Sequence, residues 1–259
     1  MIFQIKSRRA EKKGNTERQQ HFYKLVLLED SDVSLTRIIE CFLDACPHKI
    51  IHMTAVLQSL HLTVAQILSL TSAFGGFAWS LTSYNRCIRL AQPDKRHLSL
   101  AGIVALCIWH FFVTFSRVIS IVLIASVYPL QTIVAITAHW FIMTLWVFIL
   151  DRSPFCSYTA IHSFGFSMIF GAVYVFTYIL PKQTKTTFSR CMFFYLLTGI
   201  ENFIAILFFF LFSKLSSNYV NVLCFLPIAS FVVGIGAMIF YYVKLHPNIL
   251  SRRNLTPVL

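Results

Sequence analysis

Charge is scarce in this chain. Only 12% of its 259 residues are Asp, Glu, Lys or Arg, where a soluble domain carries about a quarter. Acidic residues number ten, and no aspartate follows Asp151. No P-loop, nucleophile elbow or paired-carboxylate spacing occurs, so the sequence points to no enzyme and no cofactor. The seven cysteines (Cys41, Cys46, Cys87, Cys107, Cys156, Cys191 and Cys224) show no zinc-ligand spacing and mostly sit in apolar blocks as small buried hydrophobes. Cys156, in a short loop, is the one thiol placed for pairing outside a bundle. The first 24 residues are basic and polar without an apolar core. The expectation is therefore no cleavable signal peptide, with insertion by internal spans.

What the chain has is hydrophobic length. Apolar residues make up 57% of it and mean hydropathy is +0.69. They come in long blocks: 33–60, 62–84, 98–128, 130–150, 158–180, 191–212 and 220–243, here segments A to G. A spanning helix needs about 20 mostly apolar residues, and at least six blocks meet or approach that. The expected fold is all-α, a polytopic integral membrane bundle. A leader at 1–34 and a tail at 244–259 flank a bundle at 35–243, with no room for a separate soluble module.

The net charge of +12 does not mean nucleic-acid binding, because 17 of the 22 Lys and Arg fall in four clusters. These are the first 24 residues, 85–97, 181–190 and the tail from Val243. Basic loops beside apolar spans mark the cytosolic face, which places both termini in the cytosol. Parity then constrains the path. Segments A and B together cross an even number of times. Three segments (C, D and E) separate two loops on the same side, so one of them must be re-entrant or broken. The candidates are D, bounded by Pro129 and the 151–154 turn, and E, which contains Gly165 and Gly171. Backbone of that kind is tolerated at membrane depth only against protein or a wet cavity.

Ionisable residues inside spans are costly and carry the sharpest signal. In segment A, Arg37, Glu40, Asp44 and His48 fall within about 80° of arc at about 100° per residue. They form either a polar track facing a cavity or a helix end near the interface, with Arg37 and Lys49 reaching water. Pro47 suggests a break there. In segment C, His110, Thr114 and Arg117 share a face. In segment F, Tyr195, Thr198, Glu201 and Asn202 do the same. Arg117 and Glu201, each alone on an apolar helix, are expected to pair with each other or with the charges of segment A. Such a pair can fix helix register or form a rung past which a charged head group moves. The spacing of His48 and His52 could face a metal, but only Asp44 or Cys46 is placed to complete a site, interfacial histidines are common, and no metal is assigned.

Several motifs in order resemble the XK-related protein family. Asp32-Val33-Ser34 leads into Arg37-x-x-Glu40-x-Phe42-Leu43-Asp44-x-x-Pro47. Trp79-Ser80-Leu81-x-Ser83-Tyr84-x-Arg86 follows with Arg89, then Trp109-His110-Phe111 and Ser116-Arg117-Val118. His139-Trp140, Glu201-Asn202 and Tyr241-Tyr242 before Leu245-His246-Pro247 complete the set. The resemblance implies a helical bundle with partly inserted helices. It also implies energy-independent phospholipid scrambling with phosphatidylserine exposure at the plasma membrane, often triggered by caspase cleavage. The partners would be membrane phospholipids, or a protein subunit for which the chain acts as an anchor. The lipid path would run along a furrow lined by Glu40, Asp44, Arg117 and Glu201. Two departures stand out: Pro47-His48-Lys49 replaces a Pro-Gln-Leu, and family chains normally carry two spans before the segment like A. A shortened, inactive member is the further alternative. Glu29-Asp30-Ser31-Asp32 reads as an acidic cap on segment A.

Overall fold

The computed structural model describes residues 2–12, 14–59, 63–90, 98–150, 160–179 and 187–245. Lipid offers no hydrogen bonds, so spanning backbone must satisfy itself within a helix. The described residues follow that rule: they form nine α-helices and two π-helical turns. Five helices are long and apolar enough to cross a membrane. This is the all-α membrane bundle expected from composition.

Two helices, α1 (Ile2–Lys12) and α2 (Thr16–Glu40), begin the chain. A π-helical turn at Cys41–Ala45 joins α2 to α3 (Cys46–Ser59) without a break in direction. Pro47 accounts for that turn. It has no N–H to give Leu43, and its ring crowds the carbonyl four residues back. The preceding turn widens instead, with the Cys46 N–H reaching the Cys41 carbonyl. Antiparallel to this rod runs α4 (Val64–Leu90). The register is fixed by Ser34 against Cys87, Cys41 against Ser80 and Lys49 against Ser69. Segments A and B thus both run the length of the bundle.

The central element is α5 (Leu100–Val127), capped by Ser99, whose hydroxyl accepts the Gly102 N–H. It packs against α3, α4, α6, α8 and α9. Against α9 (Ser217–Phe240) it runs antiparallel and close. A Cβ on Gly234 would lie 3.0 Å from the Val113 nitrogen, and the Ser116 hydroxyl donates to the Pro227 carbonyl at 2.7 Å. Small residues let membrane helices approach where no hydrophobic force joins them. A second π-helical turn, Tyr241–Leu245, ends the described chain.

Helix α8 (Thr187–Phe212) runs parallel to α5. Trp109 meets Tyr195 at a ring separation of 5.8 Å, and Arg117 meets Asn202 about two turns further along both helices. The starts of α5 and α8 therefore lie at the same end of the bundle, as parity required. That end is called here the basic end.

The odd element is segment E. Helix α6 (Pro129–Leu150) is unbroken and returns to the basic end, where Trp146 stacks on Phe193 at 5.4 Å. Helix α7 (Ala160–Tyr174) starts there and runs antiparallel to α6. Phe148 faces Phe164, Thr144 faces Gly171, and His139 faces Tyr174. At mid-bundle α7 stops after 15 residues. The chain turns at Val175–Phe176, and Tyr178 is already back beside Phe194, near the start of α8. Segment E, one of the two candidates, is therefore the broken element, a re-entrant half-helix. The boundaries expected at Leu60, 151–154, Pro181 and Pro247, and the Cys156 thiol, lie outside the described residues.

Candidate functional site

A helix that ends in mid-bundle leaves its last carbonyls without partners. In lipid these would be expensive, so the surrounding helices must supply donors. They do. The Arg117 Nε–H on α5 donates to the Val175 carbonyl at 2.9 Å. Nε2 of His139 on α6 lies 3.3 Å from the Tyr174 carbonyl. The Tyr174 hydroxyl donates to Ile179 at 2.5 Å. Every residue from Val173 to Ile179 is buried, in keeping with irregular backbone tolerated only against protein.

The same two side chains hold an acid. Arg117 donates from one terminal nitrogen to Glu201 Oε2 at 2.6 Å and from the other to Asn202 Oδ1 at 3.0 Å. His139 Nδ1 lies 2.7 Å from Glu201 Oε1. A guanidinium presents its N–H groups as a planar fork, which is why one side chain can serve a carbonyl, an amide and a carboxylate at once. Lysine has no such geometry. Arg117 also sits at the C-terminal end of α7, where the helix dipole favours positive charge. The network thus welds α5, α6, α7 and α8 at one depth.

It is unevenly covered. The Arg117 and His139 side chains are 6% exposed, whereas that of Glu201 is 32% exposed. Glu201 opens into a groove of about 490 Å³ between α5, α6 and α8. The groove runs from the ion pair away from the basic end. Arg117, His139 and Glu201 line one end, Tyr128, Gln131 and Thr132 line the other, and residues such as Ile121, Ile204 and Phe208 form the apolar walls.

The other expected residues are placed elsewhere. Arg37, Glu40, Asp44 and His48 do form one stripe, and all four are exposed on the outer face of the α2–α3 rod. The opposite face of that rod is the buried one, through Leu35, Ile38, Phe42 and Cys46. Glu40 and Asp44 do not line the groove of Arg117 and Glu201, so no single furrow holds all four. Their depth is nevertheless similar, because Phe42 between them stacks on Phe176 at 5.8 Å, next to Val175. His110 is buried toward the basic end, with Nε2 at 3.0 Å from the Asn85 amide and its ring on Trp109. His139 was not among the site residues expected from sequence. Its signs there are an imidazole in an otherwise apolar span and the His139-Trp140 motif of the resemblance. The two backbone carbonyls that it and Arg117 serve have no sequence signal at all.

With this geometry in view, similarity to known proteins falls into place. The chain matches the XK-related protein family over residues 1–247. It belongs to the XK-related family. It is 27% identical over 233 residues to XK-related protein 9 of Tetraodon nigroviridis, covering 89% of this chain and 60% of that protein. This XK-related chain therefore spans about 60% of the length of that curated relative. The family and the apolar helices together make it an integral membrane protein.

Proposed function

We propose that this chain moves phospholipids between leaflets without an energy source and so exposes phosphatidylserine at the plasma membrane, with both termini cytosolic. The observation that carries the reading is the groove beside the ion pair. Crossing hydrocarbon is slow for a lipid because its head group must leave water. A lipid-facing groove with an exposed carboxylate at mid-depth and polar side chains toward one end offers the head group partners on the way. The acyl chains meanwhile stay against Ile, Ala and Phe. No bond is made or broken, so the chain acts as a path and not as an enzyme.

The outward stripe of Arg37, Glu40, Asp44 and His48 supports a second reading. Charges at this depth normally face protein or water, so the stripe suits a partner membrane helix for which this chain serves as anchor, without moving lipid itself. A family member inactive at this length is the remaining alternative.

The test is dithionite quenching of liposomes that carry the purified chain and an acyl-chain NBD phospholipid. Loss of signal well past the outer-leaflet half supports lipid movement. Quenching that stops at half, in vesicles holding folded protein, rejects lipid movement by the chain alone. Surface expression that depends on a co-purifying membrane protein would then favour the anchor.

A further inference from the structure

We infer that the core seam between α5, α8 and the stretch returning from α7 binds a file of ordered water, running from the Arg117 network toward the basic end. The parallel register of α5 and α8 defines its limits: Trp109 against Tyr195 at one end, Arg117 against Asn202 at the other. Between them His110 and Thr114 project from α5, Thr198 from α8 and Thr177 from the return stretch. The three threonines are 0% exposed, and His110, Tyr195 and Asn202 are at most 3% exposed.

Each of these six residues has a side-chain atom with no hydrogen-bond partner among the described residues: His110 Nδ1, Thr114 Oγ1, Thr177 Oγ1, Tyr195 OH, Thr198 Oγ1 and Asn202 Nδ2. The Tyr195 hydroxyl interacts with the Thr177 hydroxyl and the Tyr178 backbone, but neither contact reaches full hydrogen-bond geometry. Threonines elsewhere in these helices behave differently. Thr82, Thr132 and Thr144 donate back to the carbonyls of Ala78, Tyr128 and Trp140 within their own helix. Thr114 and Thr198 forgo that bond and turn their hydroxyls into the seam.

Leaving six buried polar atoms unpaired would cost as much as a domain's whole stability. Polar cavities hold water, whereas apolar ones stay dry. The chemistry favours water over an ion. Four of the six groups are hydroxyls that both donate and accept, and the nearest carboxylate, Glu201, is already paired with Arg117 and hydrogen-bonded to His139. The assignment is independent of lipid movement. It puts water on the basic side of Arg117, opposite the groove.

The test is X-ray hydroxyl-radical footprinting of the full chain in lipid nanodiscs, because radicals born from bound water oxidise the side chains next to it. Tyr195 is compared with Tyr174, which is equally buried but has its hydroxyl on the Ile179 carbonyl. The expected result is oxidation of Tyr195 several-fold faster than Tyr174. In Thr114→Val/Thr198→Val the Tyr195 rate should fall to that of Tyr174, and Thr198→Ser should keep it high. A Tyr195 rate in the natural sequence no higher than that of Tyr174 overturns the proposal, even if the valine variant does not fold. So does a high rate that both valines leave unchanged.

Discussion

Arg117 is 5% exposed and donates to three oxygens on two other elements, so its removal breaks more than an ion pair. Breaking a buried pair from one side costs about 3–5 kcal/mol, because the remaining charge is left uncompensated. Arg117→Leu should therefore lower the melting temperature of the purified chain by many degrees, or collapse its yield. Normal yield, melting and lipid transfer together would exclude a central role for this residue. Arg117→Lys keeps the charge but not the fork. It should recover part of the stability, and a full recovery would mean that the Val175 and Asn202 contacts contribute little. Glu201 differs because it is the exposed member. Glu201→Gln keeps its shape and leaves the Arg117 guanidinium facing a neutral amide. Loss of stability is expected there too, with the thermal unfolding midpoint as the readout.

At the scale of elements, the half-helix α7 depends on how closely it can approach α6. A Cβ on Gly171 would run into the Thr144 hydroxyl and lie 2.9 Å from the Thr144 nitrogen and 3.0 Å from its Cα, both backbone. Backbone cannot swing aside, so Gly171→Val should push α7 outward and pull the Tyr174 and Val175 carbonyls off His139 and Arg117. A clear drop in thermal stability is expected. Gly165, on the same helix, has open space where its Cβ would be. Gly165→Ala should be neutral or gain up to about 1 kcal/mol from helix propensity. Equal effects at the two positions would count against the close α6–α7 packing. The π-helical turn at Cys41–Ala45 belongs to this scale as well. The proline was visible in the sequence, but its outcome was not. A break was expected at Pro47, and the rod instead absorbs it by widening one turn.

For the whole molecule the decisive feature is which loops share an end. If α7 enters and returns, the chain before α5 and the chain before α8 face the same side of the membrane. Single-cysteine variants in a cysteine-free background, labelled with an impermeant maleimide on sealed vesicles, read this directly. Ser99→Cys and Ser189→Cys should label from one side, and Thr63→Cys and Ser216→Cys from the other. Labelling of Ser99→Cys and Ser189→Cys from opposite sides would mean that segment E spans after all. The sequence reached the re-entrant element through the charges of its loops, since three apolar blocks between two basic loops leave no other solution. It could not choose between D and E, because both have the hydrophobic length of a span.

Fold class, the number of apolar blocks, the need for one broken element and the isolation of Arg117 and Glu201 as lone charges on apolar helices were all legible in the residues alone. Those follow from composition, periodicity and parity, which are local or one-dimensional properties. Packing was needed to show that Arg117 and His139 serve the carbonyls of a half-helix, and that the stripe of Arg37, Glu40, Asp44 and His48 faces outward while the groove lies elsewhere. The physical reason is that backbone carbonyls are the same in every sequence. Which of them go unpaired, and which side chain reaches them, depends on where a helix stops and on what packs against its end.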